Sequence, residues 1–93
     1  MEILATQLFE ESLKDILDTY AKEDFEATKK FKLYLDTIII NIPTKVKKYK
    51  KSIYFDDENI KDIPHENFTI VFYFERKTEN YLLLDIINKE IST

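Results

Sequence analysis

The run "FTIVFYFE", residues 68–75, is followed five residues later by "YLLLDIIN", residues 81–88. Both are dense in aromatic, β-branched and large aliphatic side chains, which fit a pleated, half-buried surface. The polar "RKTEN" between them supplies a loop, so the pair predicts a β-hairpin. Along the first run Phe68, Ile70, Phe72 and Phe74 fall on one face, and Val71 and Tyr73 on the other. In the second run Leu82, Leu83, Leu84, Ile86 and Ile87 are apolar on both faces. One face is expected to take helices. The other is expected either to carry an exposed apolar patch of the kind that marks a partner site, or to be covered by the segment from Lys45 to Glu58.

Upstream, "MEILA" reads as a short strand. Thr6 offers an N-cap, and Glu10 and Glu11 sit near the positive end of the helix that follows. Leu8, Phe9, Leu13, Ile16, Leu17 and Tyr20 recur at helical spacing and predict a helix over about residues 6–21. "KED" connects it to a second helix capped by Asp24, whose apolar stripe is Thr28, Phe31, Leu35, Ile38, Ile39 and Ile42. Pro43 stops that helix. Two amphipathic helices joined by a short turn predict an antiparallel helical hairpin. After a polar, turn-rich stretch, "NIKDI" alternates as a third strand, and Pro64 confines its end to an edge or a bend. The predicted order is β-α-α-β-β-β. The expected fold is an α+β domain with the helical hairpin packed on one face of a small antiparallel sheet.

At 93 residues the chain, 1–93, is read as one domain. Six Tyr and seven Phe imply a strongly aromatic core. A domain that binds nucleic acid through its whole surface is normally basic, so with a net charge of −4 any such contact has to be local or shared with a partner. With no Cys, disulfides, thiolate nucleophiles and Cys-based zinc sites are excluded. That absence fits a reducing cytoplasm. The opening "MEILATQLFEE" lacks the basic n-region of a signal peptide, and the apolar run "IIINIP" is far too short to span a bilayer. A cytoplasmic protein with no membrane partner is expected. With no Gly, Walker and Rossmann phosphate loops are ruled out, and no cofactor is expected.

"KVKKYKK" gathers Lys45, Lys47, Lys48, Lys50 and Lys51 into seven residues. It is read as a connector out of the helical hairpin and as the candidate contact for a phosphate or an acidic partner. The neighbouring "DDEN" opposes a broad positive field there. Lys61 is a candidate for neutralising a phosphate during RNA cleavage; the plainer reading is a strand-edge lysine that discourages aggregation. Tyr49, Tyr54 and Tyr73 are candidates for base stacking, although Tyr73 reads first as part of the sheet surface, because strand aromatics mostly pack against cross-strand neighbours. His65 is the sole histidine, suited by type to acid–base work, but it lies in the polar turn "IPHENF" with no second His to share a metal. "FDDE" offers three adjacent carboxylates without the spacing or the Gly of a calcium loop. No metal site is expected.

The order of elements, with the strand start "ILAT", then "FEESLKDILDTY", a second helix ending in "IP", then "SIYFDDENIKDIPHENFTIVFYFE" and "YLLLDII", resembles the RelE/ParE superfamily of bacterial type II toxins. That family commonly has a basic residue entering the second strand, an aromatic opening the third and an apolar fourth. Lys61, Phe68 and the run 81–87 stand in those places. The resemblance implies a toxin that blocks growth at the ribosome, by cleaving messenger RNA, or at DNA gyrase, and that a cognate antitoxin neutralises. On it, Lys61, Tyr73 and Arg76 become the candidate catalytic residues, and self-association into a homodimer is compatible with the fold. The chain departs from the family pattern with Lys at position 61 where Arg is usual, with Asn67 where Gly is frequent, and with Arg76 as its sole arginine. The long, clean helical hairpin is similar to the gyrase-poisoning branch, whose members have no nuclease site. A degenerate member that acts only as a protein-binding module is the remaining alternative.

Overall fold

The structure, a computed structural model, describes residues 2–88. Strand β1 (Ile3–Ala5) leads into helices α1 (Gln7–Ala21) and α2 (Phe25–Ile40). A one-turn helix α3 (Ile42–Lys45) and a 3-10 turn (Val46–Lys48) follow, and strands β2 (Ile60–His65), β3 (Phe68–Glu75) and β4 (Asn80–Asn88) close the chain. The four strands form one sheet in the order β1-β4-β3-β2. The α+β class and the β-α-α-β-β-β order are as the sequence predicts. The expected sheet was antiparallel throughout, and in that detail it is corrected: β1 lies parallel to β4, with Ile3 opposite Tyr81 and Ala5 opposite Leu83. The expected first strand began at Met1, which lies outside the described residues, as do residues 89–93.

The helix starts are set by local chemistry. The Thr6 hydroxyl accepts the Phe9 amide at 3.0 Å, and the Asp24 carboxylate accepts the Ala27 amide at 3.0 Å. Each satisfies an amide that has no partner inside its helix. Asp24→Ala is expected to lower stability by about 1 kcal/mol. Urea unfolding of the single variant measures it, and an unchanged midpoint would show that the cap contributes nothing. Helix α2 ends because Pro43 has no N–H to carry the ladder onto Ile39. The chain restarts at once, with Pro43 inside the first turn of α3, where a missing amide costs little. Ile42, expected as the last residue of the α2 stripe, therefore belongs to α3, yet it remains fully buried.

The core lies between the helical hairpin and one sheet face. Phe9, Phe31, Leu35 and Ile42 meet Ile63, Phe68, Ile70, Phe72, Tyr81, Leu83 and Ile86. Two aromatic groups anchor its ends. Phe31, Tyr20 and Phe68 meet at centroid distances of 5.1–6.2 Å. At the other end Tyr49 and Tyr81 flank Phe72, at 5.9 and 6.3 Å, and Phe74 stacks on Tyr81 at 5.0 Å. The pairing of β3 with β4 shifts between Val71 and Phe72, so Val71 faces Asp85 while Phe72 faces Leu83. Leu84 is the extra residue of this bulge. The bulge lets Leu83 and Ile86, an odd number of residues apart, both face the core.

Pro64 sits within β2, opposite Thr69. Its backbone nitrogen points to the outer edge of the sheet, because Ile60 and Asp62 turn their backbone groups the same way, toward Ser52 and Lys50. The missing N–H removes no ladder bond, as the edge position requires.

Candidate functional site

A cleft of about 320 Å³ opens at the end of the core beyond α3. Its floor is the stacked pair Phe74 and Tyr81, with Pro43 and Val46 forming one wall. Three cations surround that floor: Lys47 from the 3-10 turn, Lys61 from β2 and Arg76 from the β3–β4 turn. Among the described residues Glu79 is the one carboxylate in the lining.

Each cation is placed for a traceable reason. Lys61 lies opposite Phe72 and so points to the helix-bearing face of the sheet. Its ammonium donates to the Tyr49 carbonyl at 2.9 Å, which fixes the stem and leaves two protons for a ligand. Arg76 donates its Nε to Asn59 Oδ1 at 2.9 Å, leaving the forked end of the guanidinium unspent. Lys47 is exposed on the turn that Pro43 starts. None of the three is ion-paired among the described residues. Burial, and then the charge of Glu79, push the Tyr81 phenol above its usual range. The cleft floor thus keeps a neutral ring across the physiological range. A neutral aromatic floor under a rim of cations suits a phosphodiester with its attached base: the cations take the phosphate and the ring face takes the base.

The fold joins two of the three candidate catalytic residues, Lys61 and Arg76, and separates the third. Tyr73 pairs with Ile60 and Leu82 on the opposite sheet face. Its hydroxyl donates to Glu75 Oε2 at 3.3 Å, and the Glu75 charge raises its pKa. The other residues singled out in the sequence also lie elsewhere. His65 is at the far end of β2, with its ring 6.4 Å from that of Tyr34. Asp56 binds Lys51 at 2.9 Å, and Asp57 accepts the Asn59 amide at 2.8 Å. Among the described residues no group of carboxylates or imidazoles is placed to hold a metal ion.

The lysine run is divided by the fold rather than acting as one patch. It was expected to be an irregular connector; instead α3 and the 3-10 turn wind its first half, Lys45 to Lys48. Lys47 enters the cleft, whereas Lys48, Lys50 and Lys51 line a separate groove around the β2 edge. Sequence reasoning missed Glu79 and the Phe74–Tyr81 floor. Tyr81 was visible only as one member of an apolar run, with nothing to mark it as bordering a cleft.

No protein-family model and no curated protein matches this chain in sequence. Among the described residues no helix is long and apolar enough to cross a membrane.

Proposed function

We propose that this protein is the toxin component of a bacterial type II toxin–antitoxin module, acting on translation by gripping RNA phosphates in the cleft of Lys47, Lys61 and Arg76. The observation that carries this reading is the convergence of those three cations, from three separate elements, on an aromatic floor in an otherwise acidic chain. The order of elements supports the same reading. The partners are then an RNA on the ribosome and a neutralising antitoxin, and the work is done in the cytoplasm.

Lys61 and Arg76 bind and orient the phosphodiester, and their positive charge favours the extra negative charge of a phosphorane. Glu79 is the carboxylate within the cleft available to take a proton. A second reading, a non-catalytic member that acts by protein contacts alone, is favoured by the sparse cations and by the apolar character of the second sheet face. DNA gyrase would be the target in that case.

Induced expression tests the proposal. The wild-type chain is expected to arrest growth with loss of protein synthesis, and the Lys61→Ala/Arg76→Ala variant is expected to be harmless. Unimpaired growth on wild-type expression would overturn the toxin reading. Arrest that persists in the double variant, with DNA breakage, would move the target to gyrase.

A further inference from the structure

The second sheet face, away from the helices, ends at an edge built from the lysine run. Lys51 lies opposite Lys61 in a single antiparallel bridge, with the Ser52 amide donating to the Ile60 carbonyl at 2.8 Å and the Asp62 amide to the Lys50 carbonyl at 3.2 Å. This is the wide pair of an antiparallel ladder, so the N–H and C=O of Lys51 itself point outward. Among the described residues they form the outermost unpaired backbone groups on this side of the sheet. Beside them lies a groove of about 420 Å³. Ile53, 85 % exposed, with Tyr54 and Pro64, gives it apolar walls, and Lys48 and Lys50 stand on its rim. Neither rim lysine is ion-paired among the described residues. Asp62 accepts the Ile53 amide through Oδ2 at 3.0 Å, while its Oδ1 is buried and lacks a partner among the described residues. An acceptor in that state costs stability until a donor reaches it.

We propose that this edge and groove are a docking site for an acidic, extended peptide segment, which adds as a strand alongside Lys51 and sets an apolar side chain between Ile53 and Pro64. Charge complementarity selects the partner: Lys48 and Lys50 meet its carboxylates, in a chain whose net charge of −4 repels acidic segments elsewhere. The outward backbone of Lys51 supplies the ladder bonds, and the groove supplies specificity for an alternate side chain. A nucleic acid fits less well. It carries no backbone N–H and C=O in strand spacing to pair with those of Lys51; Asp62 in the groove and Asp56, Asp57 and Glu58 on the adjoining loop confine the peptide's own acidic residues to the Lys48 and Lys50 rim. The site is separate from the cleft of Lys61 and Arg76 and does not depend on what that cleft does.

Selection from a random dodecapeptide display library against the full chain tests the proposal. The enriched peptides are expected to alternate acidic with large apolar residues. Their binding should fall roughly tenfold or more in the Lys48→Glu/Lys50→Glu variant, since reversed rim charges repel the same carboxylates. The Arg76→Ala variant, altered in the cleft and outside this groove, should bind them unchanged, which separates failure here from failure of the RNA reading. Amide exchange at Lys51 should slow when a selected peptide is bound. Absence of any enriched sequence, a basic consensus, indifference to the charge reversal, or an unprotected Lys51 amide would each overturn the proposal. So would binding of an oligouridine at this edge, measured by the same charge reversal, without enrichment of acidic peptides.

Discussion

Phe72→Ala is expected to lower the free energy of unfolding by about 3–5 kcal/mol, the range for emptying a buried aromatic site. Phe72 is fully buried in β3, which like β4 has a partner on each side, and it lies between Lys61 of β2 and Leu83 of β4. Its ring meets Tyr49 edge-on at 5.9 Å and approaches Tyr81 at 6.3 Å. Truncation removes the transfer free energy of the ring and leaves a cavity that two rigid phenols cannot close. A domain of this size holds only about 5–15 kcal/mol in total, so the variant should sit near the threshold of folding. Leu33→Ala is the control. Leu33 is 67 % exposed on α2, and its truncation should move stability by no more than about 0.5 kcal/mol. Urea unfolding followed by far-ultraviolet circular dichroism compares the two. A Phe72 cost close to that of Leu33 would mean that the aromatic group at this end of the core is not holding the fold.

The same residue shows what the sequence made legible. Alternation through Phe68, Ile70 and Phe72 placed β3 correctly because these three residues keep a strict period of two toward the core. In β4 the run Leu82–Leu83–Leu84 offered no face to choose. The bulge at Leu84 resolves it, and nothing local announces a bulge when all three residues are leucine. The parallel pairing of β1 was equally hidden. It is fixed by contacts between residues far apart in the chain, such as the Thr6 hydroxyl donating to the Leu84 carbonyl at 2.9 Å. Helix caps, by contrast, were legible at Thr6 and Asp24, since a cap is decided within four residues. The candidate site was legible residue by residue and not as a set. Lys61 and Arg76 could be named, but Lys47 joins them only because Pro43 turns the chain back over the Phe74–Tyr81 floor. Tyr73 entered that set on the resemblance alone; strand periodicity already put it on the face opposite Phe72, where the structure has it. The second face matches neither expectation completely. The loop lies against one end of it, around Ile53 and Tyr54, while Leu4 remains about half exposed on the opposite edge strand.

Lys61→Ala/Arg76→Ala is expected to weaken binding of a single-stranded RNA about tenfold to a hundredfold, because each charge-assisted hydrogen bond lost is worth about 1.5 kcal/mol or more when well aimed. Affinity alone would not assign the loss to the cleft, since removal of any positive charge weakens binding to a polyanion. The salt dependence does. Each phosphate contact on a single strand contributes about 0.7 to the slope of log affinity against log salt, so the double variant should flatten the slope by about 1.4. Lys14→Ala/Lys29→Ala provides the matched control: both lysines are exposed, on α1 and α2, and already engaged, with Asp18 at 2.7 Å and Glu26 at 3.4 Å. Their removal changes net charge by the same amount without touching the cleft and should leave the slope as it was. Phe74→Ala should act differently again, lowering affinity by the stacking worth of one base, about 1–3 kcal/mol, with the slope unchanged. Phe74 is only half-buried, so this truncation should leave the fold standing. Filter binding or fluorescence anisotropy across a salt series reads all three variants. A slope equal to wild type in the double variant would show that Lys61 and Arg76 meet no phosphate. The cations would then have to be explained by the fold, Lys61 as a clamp on the Tyr49 carbonyl and Arg76 as a tie to Asn59.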